Sequence, residues 1–191
     1  MMRILLVDNK DSFVYNICHL VKRCSACRID IVANDNIPFN SLGDYSHIIL
    51  SPGPGLPSEA GDMPQLINMV CHTHSVLGIC LGHQAIASHF GARLINQKSP
   101  MHGHRALLKI IDKRDPIVGN VQGYVGLYHS WSVDSESLPG ELIIGSLSER
   151  GVVMSIFHEQ LPLFGLQFHP ESIMSDCGEQ IITNWLSIRQ P

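Results

Sequence analysis

A cysteine framed by two glycines, Gly78-Ile79-Cys80-Leu81-Gly82, constrains this chain more than any other stretch. An apolar run, Ser75-Val76-Leu77, leads into it, and a helix-like segment, Ala85-Ile86-Ala87-Ser88-His89-Phe90, leads out. A strand turning sharply into a helix, with Gly two residues either side of a central reactive residue, is the cysteine form of a nucleophile elbow. Such a turn is tight and strained, so a Cβ at position 78 or 82 is expected to strike neighbouring backbone. The thiol at its tip then lies beside a helix N-terminus, where backbone N–H groups and the helix dipole favour negative charge. Yet a cysteine is commonly a small buried hydrophobe. A nucleophile needs a base within reach and a group that orients that base.

The elbow sits in an alternating pattern. Arg3 to Val7 is a short apolar run of the kind found in a parallel strand covered on both faces. The polar turn Asp8-Asn9-Lys10-Asp11-Ser12 follows, and Asp11 or Ser12 is placed to cap the next helix, where Phe13, Ile17, Leu20 and Val21 recur at helical spacing. Arg28 to Val32 reads as a strand, as do His47 to Leu50 and Val76 to Ile79, with a helix over Met63 to Cys71. Strands alternating with helices from residue 3 to 90 predict a parallel, doubly wound sheet, whose ligands gather at the strands' C-terminal ends. Beyond residue 90 the strands 93–95, 106–111, 123–128, 142–144 and 152–156 come without helices, which predicts an added antiparallel or mixed sheet. Leu163 to Phe168 is a last strand, and Cys177 to Ser187 a closing helix with Ile181, Ile182, Trp185 and Leu186 facing inward. Without repeats or linkers, residues 1–191 read as a single domain.

Composition narrows the partners. The net charge of −4, with no basic block, argues against nucleic acid. No apolar run approaches the ~20 residues of a membrane span, and the N-terminus meets Asp8 too early for a signal peptide. Six cysteines without framework spacing suit a reduced, cytoplasmic compartment. Cys24-x-x-Cys27 lacks a second ligand pair, so no metal or other cofactor is expected.

The missing base has a candidate in Phe168-His169-Pro170-Glu171-Ser172, directly after the last strand. If that strand neighbours the elbow's, His169 can face Cys80 while Glu171 holds the imidazole tautomer, as a carboxylate does in serine triads. Donors for a developing oxyanion are expected at Leu81 N–H and in the rigid loop Ser51-Pro52-Gly53-Pro54-Gly55. That loop lacks the spacing of a phosphate-binding loop.

Taken with these stretches, Gly78-Ile79-Cys80-Leu81-Gly82-His83-Gln84 resembles the class I (triad) glutamine amidotransferases. Asp8 to Asn16, Met101-His102-Gly103 and Tyr128-His129-Ser130 narrow the resemblance to the glutaminase subunits of anthranilate synthase and of para-aminobenzoate (aminodeoxychorismate) synthesis. The resemblance runs over nearly the whole chain. It implies a flavodoxin-like α/β fold, a Cys80–His169–Glu171 triad and hydrolysis of L-glutamine to glutamate and ammonia through a thioester. Gly53 and Leu81 match the family's oxyanion positions; Gly53, Pro54, Gly55, Gln84, Ser130 and Trp131 match its glutamine-binding positions. The partner implied is a chorismate-binding synthase subunit that takes the ammonia. Two rival readings are a free-standing γ-glutamyl hydrolase and a non-catalytic binding module on the same fold. Lys10, His104 and Leu127 depart from the family's usual residues, and they are expected to alter the electrostatics of the partner interface.

Overall fold

Alternation along the first strand sets the layers. The computed structural model describes residues 2–188. In it, Ile4 and Leu6 of β1 (Arg3–Asp8) join one core, and Leu5 and Val7 join the other. The first core packs under α1 (Val14–Cys24) and α4 (Gly178–Leu186), through Ile17, Val21, Ile181, Ile182 and Trp185. The second packs under α2 (Met63–Val70) and α3 (Leu81–His89), through Met63, Leu66, Ile67, Ala85 and Ile86. Strand residues 3 and 5, or 4 and 6, share a face, so an unbroken apolar run serves a sheet covered on both sides.

The remaining strands are β2 (Arg28–Ala33), β3 (His47–Leu50), β4 (Ser75–Ile79), β5 (Leu94–Leu107), β6 (Lys109–Ile110), β7 (Tyr124–Val133), β8 (Leu142–Leu147), β9 (Val153–His158) and β10 (Leu163–Leu166). Of the ten strands among the described residues, eight form one sheet in the order β2-β1-β3-β4-β10-β9-β8-β6. From β2 to β10 the pairing is parallel; β9, β8 and β6 continue it antiparallel. Strand order reverses about β1, the kind of switch point beside which α/β sheets bind ligands.

The sequence reading of the second half needs correcting. Only β5 and β7 form a separate antiparallel ribbon. The strands near 142–144 and 152–156 instead extend the main sheet, because β9 is buried along its length and feeds both cores. β5 is exposed along most of its length and cannot sit inside a covered sheet. The expected strand at 106–111 is also split: β5 ends at Leu107, and Leu108 turns away to bond Gly123 before β6 begins. Neither Asp11 nor Ser12 caps α1 with its side chain; the Asp11 carboxylate accepts from Phe13 N–H at 2.7 Å, just ahead of the first helical turn.

Candidate active site

Three loops at the C-terminal ends of β1, β2 and β3 are pinned together before any reactive group is considered. Buried Asn9 donates its backbone N–H to Ser51 Oγ (2.8 Å) and its Nδ2 to Ser51 O (2.9 Å), and accepts from Asn34 Nδ2 (3.2 Å). This brace holds the 51–55 loop against β1, and Gly53 passes so close to Asn9 that a Cβ there would lie 2.6 Å from Asn9 O. The elbow is tighter still. Cys80, at φ 52° and ψ −99°, occupies a region that L-residues avoid, immediately ahead of α3. A Cβ on Gly82 would lie 2.4 Å from Leu50 O, and one on Gly78 would lie 2.4 Å from Gly82 C and O. Both glycines are required by close approach of backbone to backbone.

Parallel pairing of β4 with β10 puts Ile79 opposite Leu166, so the two strands leave the sheet at the same level. Cys80 N–H donates to Leu166 O at 2.7 Å. Three residues past Leu166 stands His169, its N–H bonded to Gly126 O of β7 (3.0 Å). Its Nδ1 meets Glu171 Oε1 at 2.7 Å, with only 3% and 0% of the two side chains exposed. Tyr128 and Phe13 box the imidazole edge-on, at centroid distances of 5.0 and 6.1 Å. With Nδ1 on Glu171, Nε2 is the ring atom left for Cys80.

Burial alone would push His169 down. Hydrogen bonding and charge from Cys80 and Glu171 outweigh it and raise the imidazole to about 10. His169 Nε2 nonetheless makes no hydrogen bond of normal geometry to a protein atom. Cys80 therefore acts on it as a near, loose partner, and contacts of this kind tighten when substrate binds.

Beside Cys80 opens a cavity of 150 Å³. Gly53, Pro54 and Gly55 form one wall, Leu81 and Gln84 of α3 another, and His102, Tyr128, His129, Ser130 and Trp131 of the ribbon a third. Every position expected to bind substrate is in that lining, together with Cys80. His169 and Glu171 stand outside that lining, with Glu171 held on the far side of the imidazole at Nδ1. The first-turn N–H groups of α3, Leu81's among them, have no intrahelical acceptor by the geometry of a helix start, so they are free for an anion at the cavity's end.

The model of the family described as glutamine amidotransferase class-I matches residues 5–188. The chain belongs to that family. This amidotransferase is 37% identical to a Haemophilus influenzae protein provisionally named anthranilate synthase component II, over 98% of this chain and 97% of that one. It is 36% identical to the aminodeoxychorismate synthase of Streptomyces griseus, over 99% of this chain and 26% of that much longer protein. A solved Thermoplasma acidophilum structure, provisionally described as part of a GMP synthase, superposes with a TM-score of 0.86 at 26% identity, over 97% of this chain and 92% of that one.

One residue beside the thiol escaped the sequence reading. Gln167 is wholly buried and donates Nε2 to Cys80 Sγ at 3.6 Å. A signal was present, since in extended backbone Gln167 shares a face with His169. The carboxamide of Gln84 is committed as well, donating to Trp131 O (2.8 Å) and Gln167 Oε1 (3.1 Å). Burial lowers His129 to about 4, against its donation to Trp131 O, and burial lowers the enclosed His83 to about 3; both are neutral at physiological pH. A larger cavity of 390 Å³ is also lined by His129, with ribbon residues and Ser148 to Arg150, but neither Cys80 nor Leu81 lines it.

One expectation is overturned here. Leu127 is 2% exposed and packs in the core, so it contributes nothing to a surface charge pattern, whereas Lys10 and His104 are exposed. Among the described residues no three metal-ligating side chains converge, all six cysteines are free thiols, and no helix is long and apolar enough to cross a membrane.

Proposed function

We propose that this amidotransferase is the glutaminase subunit of a chorismate-aminating synthase, a single amidotransferase domain over residues 1–191 working in the cytoplasm. The observation that carries the reading is the buried His169–Glu171 pair beside Cys80, at the ends of adjacent parallel strands. The thiol proton rests on His169, whose imidazole is raised to about 10, and Cys80 attacks the side-chain amide carbon of L-glutamine. The tetrahedral oxyanion sits between the N–H groups of Gly53 and Leu81, donors preorganised by the Asn9 brace and the elbow. His169 then delivers its proton to the departing nitrogen, and the C–N bond breaks to leave ammonia and a γ-glutamyl thioester. Water, deprotonated by His169, attacks the thioester; the C–S bond breaks and glutamate leaves. Glu171 keeps the Nδ1–H tautomer and stabilises the imidazolium. Pro54, Gly55, Gln84, Ser130 and Trp131 shape the cavity around the glutamine.

The ammonia passes to a separate chorismate-binding subunit. The names of the Haemophilus and Streptomyces relatives support that partner, and the free thiols support the reducing compartment. The test mixes the chain with a chorismate-binding synthase subunit, chorismate, and either glutamine or ammonium. Cys80→Ala is expected to abolish glutamine-dependent amination and leave ammonium-dependent amination intact. Loss of both would make Cys80 a structural residue and refute the mechanism.

A further inference from the structure

Gln167 follows β10 and is fully enclosed, its own N–H tied to Met154 O of β9 at 2.8 Å. Its carboxamide lies between two polar groups. Nε2 donates to Cys80 Sγ at 3.6 Å, and Oε1 accepts from Gln84 Nε2 at 3.1 Å. The far end of this chain decides its direction. Trp131 O, a backbone carbonyl, can only accept, and it takes one hydrogen from Gln84 Nε2 at 2.8 Å and another from His129 Nδ1 at 3.0 Å. The second hydrogen of the Gln84 amide therefore faces Gln167, whose oxygen must meet it. That turns the NH2 end of Gln167 onto the sulfur. Flipping either amide would set donor against donor or acceptor against acceptor in a dry site, which proteins avoid.

We propose that Gln167 is a positioning residue for Cys80: it fixes the sulfur and gives it a neutral N–H donor whose orientation is relayed from Trp131 through Gln84. The inference rests on Cys80 being the nucleophile of the proposed glutaminase. A carboxamide supports sulfur charge without titrating, so proton transfer stays with His169. Its benefit falls in two steps of the cycle. In acylation the sulfur's electron pair forms the C–S bond while His169 holds the proton. In deacylation the C–S bond breaks and the pair returns to sulfur, where the Gln167 N–H receives it. Because Trp131 belongs to the β5–β7 ribbon and Gln167 is tied to β9 of the main sheet through Met154 O, the relay also ties the ribbon's position to the sulfur.

Gln167→Met keeps the volume and removes the donor. Two readings are taken on the folded variant. The first is glutamine hydrolysis, and the second is iodoacetamide alkylation of Cys80 at neutral pH, followed by peptide mass. A hydrogen bond to a charged group supports a loss of about tenfold in each. The loss should fall on kcat with KM nearly unchanged, since Gln167 lies outside the cavity lining. Gln167→Asn, whose shorter arm withdraws the NH2 group, should lose as much in both readings and serves if the methionine variant does not fold. Unchanged alkylation in either folded variant would overturn the proposal, as would a kcat loss that only follows the folded fraction. Alkylation uses no glutamine, so a wild-type chain that alkylates normally yet hydrolyses no glutamine would count against the glutaminase reading alone.

Discussion

Gly78→Ala puts the geometry of the elbow to a quantitative test. The added Cβ would stand 2.4 Å from Gly82 C and O and 2.6 Å from His83 N. All three are backbone atoms of the first turn of α3, so no side chain can rotate out of the way. Contacts below 3.0 Å are essentially never seen for a Cβ, so the turn must withdraw from β4 by at least 0.6 Å, the difference between 3.0 and 2.4. Cys80 and Leu81 N–H ride on that turn. Overpacking of this kind costs about 1–3 kcal/mol of stability, and a misplacement of ~1 Å at reacting groups costs on the order of 10²-fold in rate. A shift of this size therefore predicts between roughly ten- and one-hundredfold loss of kcat in glutamine hydrolysis, with a lower urea midpoint followed by fluorescence of buried Trp185. Gly140→Ala is the control, since nothing lies within 4 Å of its added Cβ. Wild-type turnover and stability in Gly78→Ala, or an equal loss in Gly140→Ala, would refute the steric argument.

Further expectations concern the base, its charge and the core. His169→Ala should still bind glutamine but form no thioester; an acyl-enzyme trapped on Cys80 at the normal rate would remove His169 from its role. His169 is raised in the folded state to about 10 from an ordinary 6.5. The stability its protonated form contributes is then complete below about pH 6.5 and lost as pH climbs toward 10. The urea-midpoint gap between wild type and His169→Ala should therefore narrow across that window, and a gap that is constant or widens would contradict the pairing. Trp185, fully buried with its ring edge-on to His47 at 4.9 Å, should cost about 3–5 kcal/mol when cut to alanine. A loss below ~1 kcal/mol, measured by urea unfolding, would mean that the α4 face of the core does not depend on it.

The first half of the fold was legible because its physics is local. Apolar runs such as His47 to Leu50 have only one stable setting, inside a sheet covered on both faces, and the observed strand has the predicted limits. The second half was less legible because alternation says which face of a strand is apolar, not which sheet receives it. Ile143 and Ile144 of β8 pack against opposite cores, and only the neighbouring β9 makes that an extension of the main sheet. The ribbon's long strand was hidden for the converse reason: residues 96–105 have little burial to betray them, and pairing with β7 alone holds them extended.

Legibility of the site divides along the same line. Cys80, its flanking glycines and the His169–Pro170–Glu171 spacing are sequence-local, and the structure brings them together at the ends of adjacent strands. The groups that hold them in place are not local. Asn9 is 42 residues from Ser51, and Gln167 is 87 from Cys80 and 83 from Gln84. Each is a neutral amide whose role depends on what it faces, and side-chain chemistry alone cannot rank one amide above another. Direction in the Gln84–Gln167 pair comes from the Trp131 carbonyl, a backbone group with no signature in sequence. The polar support of the reactive thiol is thus set by ribbon geometry: a substitution that shifts β7 by a fraction of a hydrogen-bond length is felt at the sulfur without changing any residue that touches it.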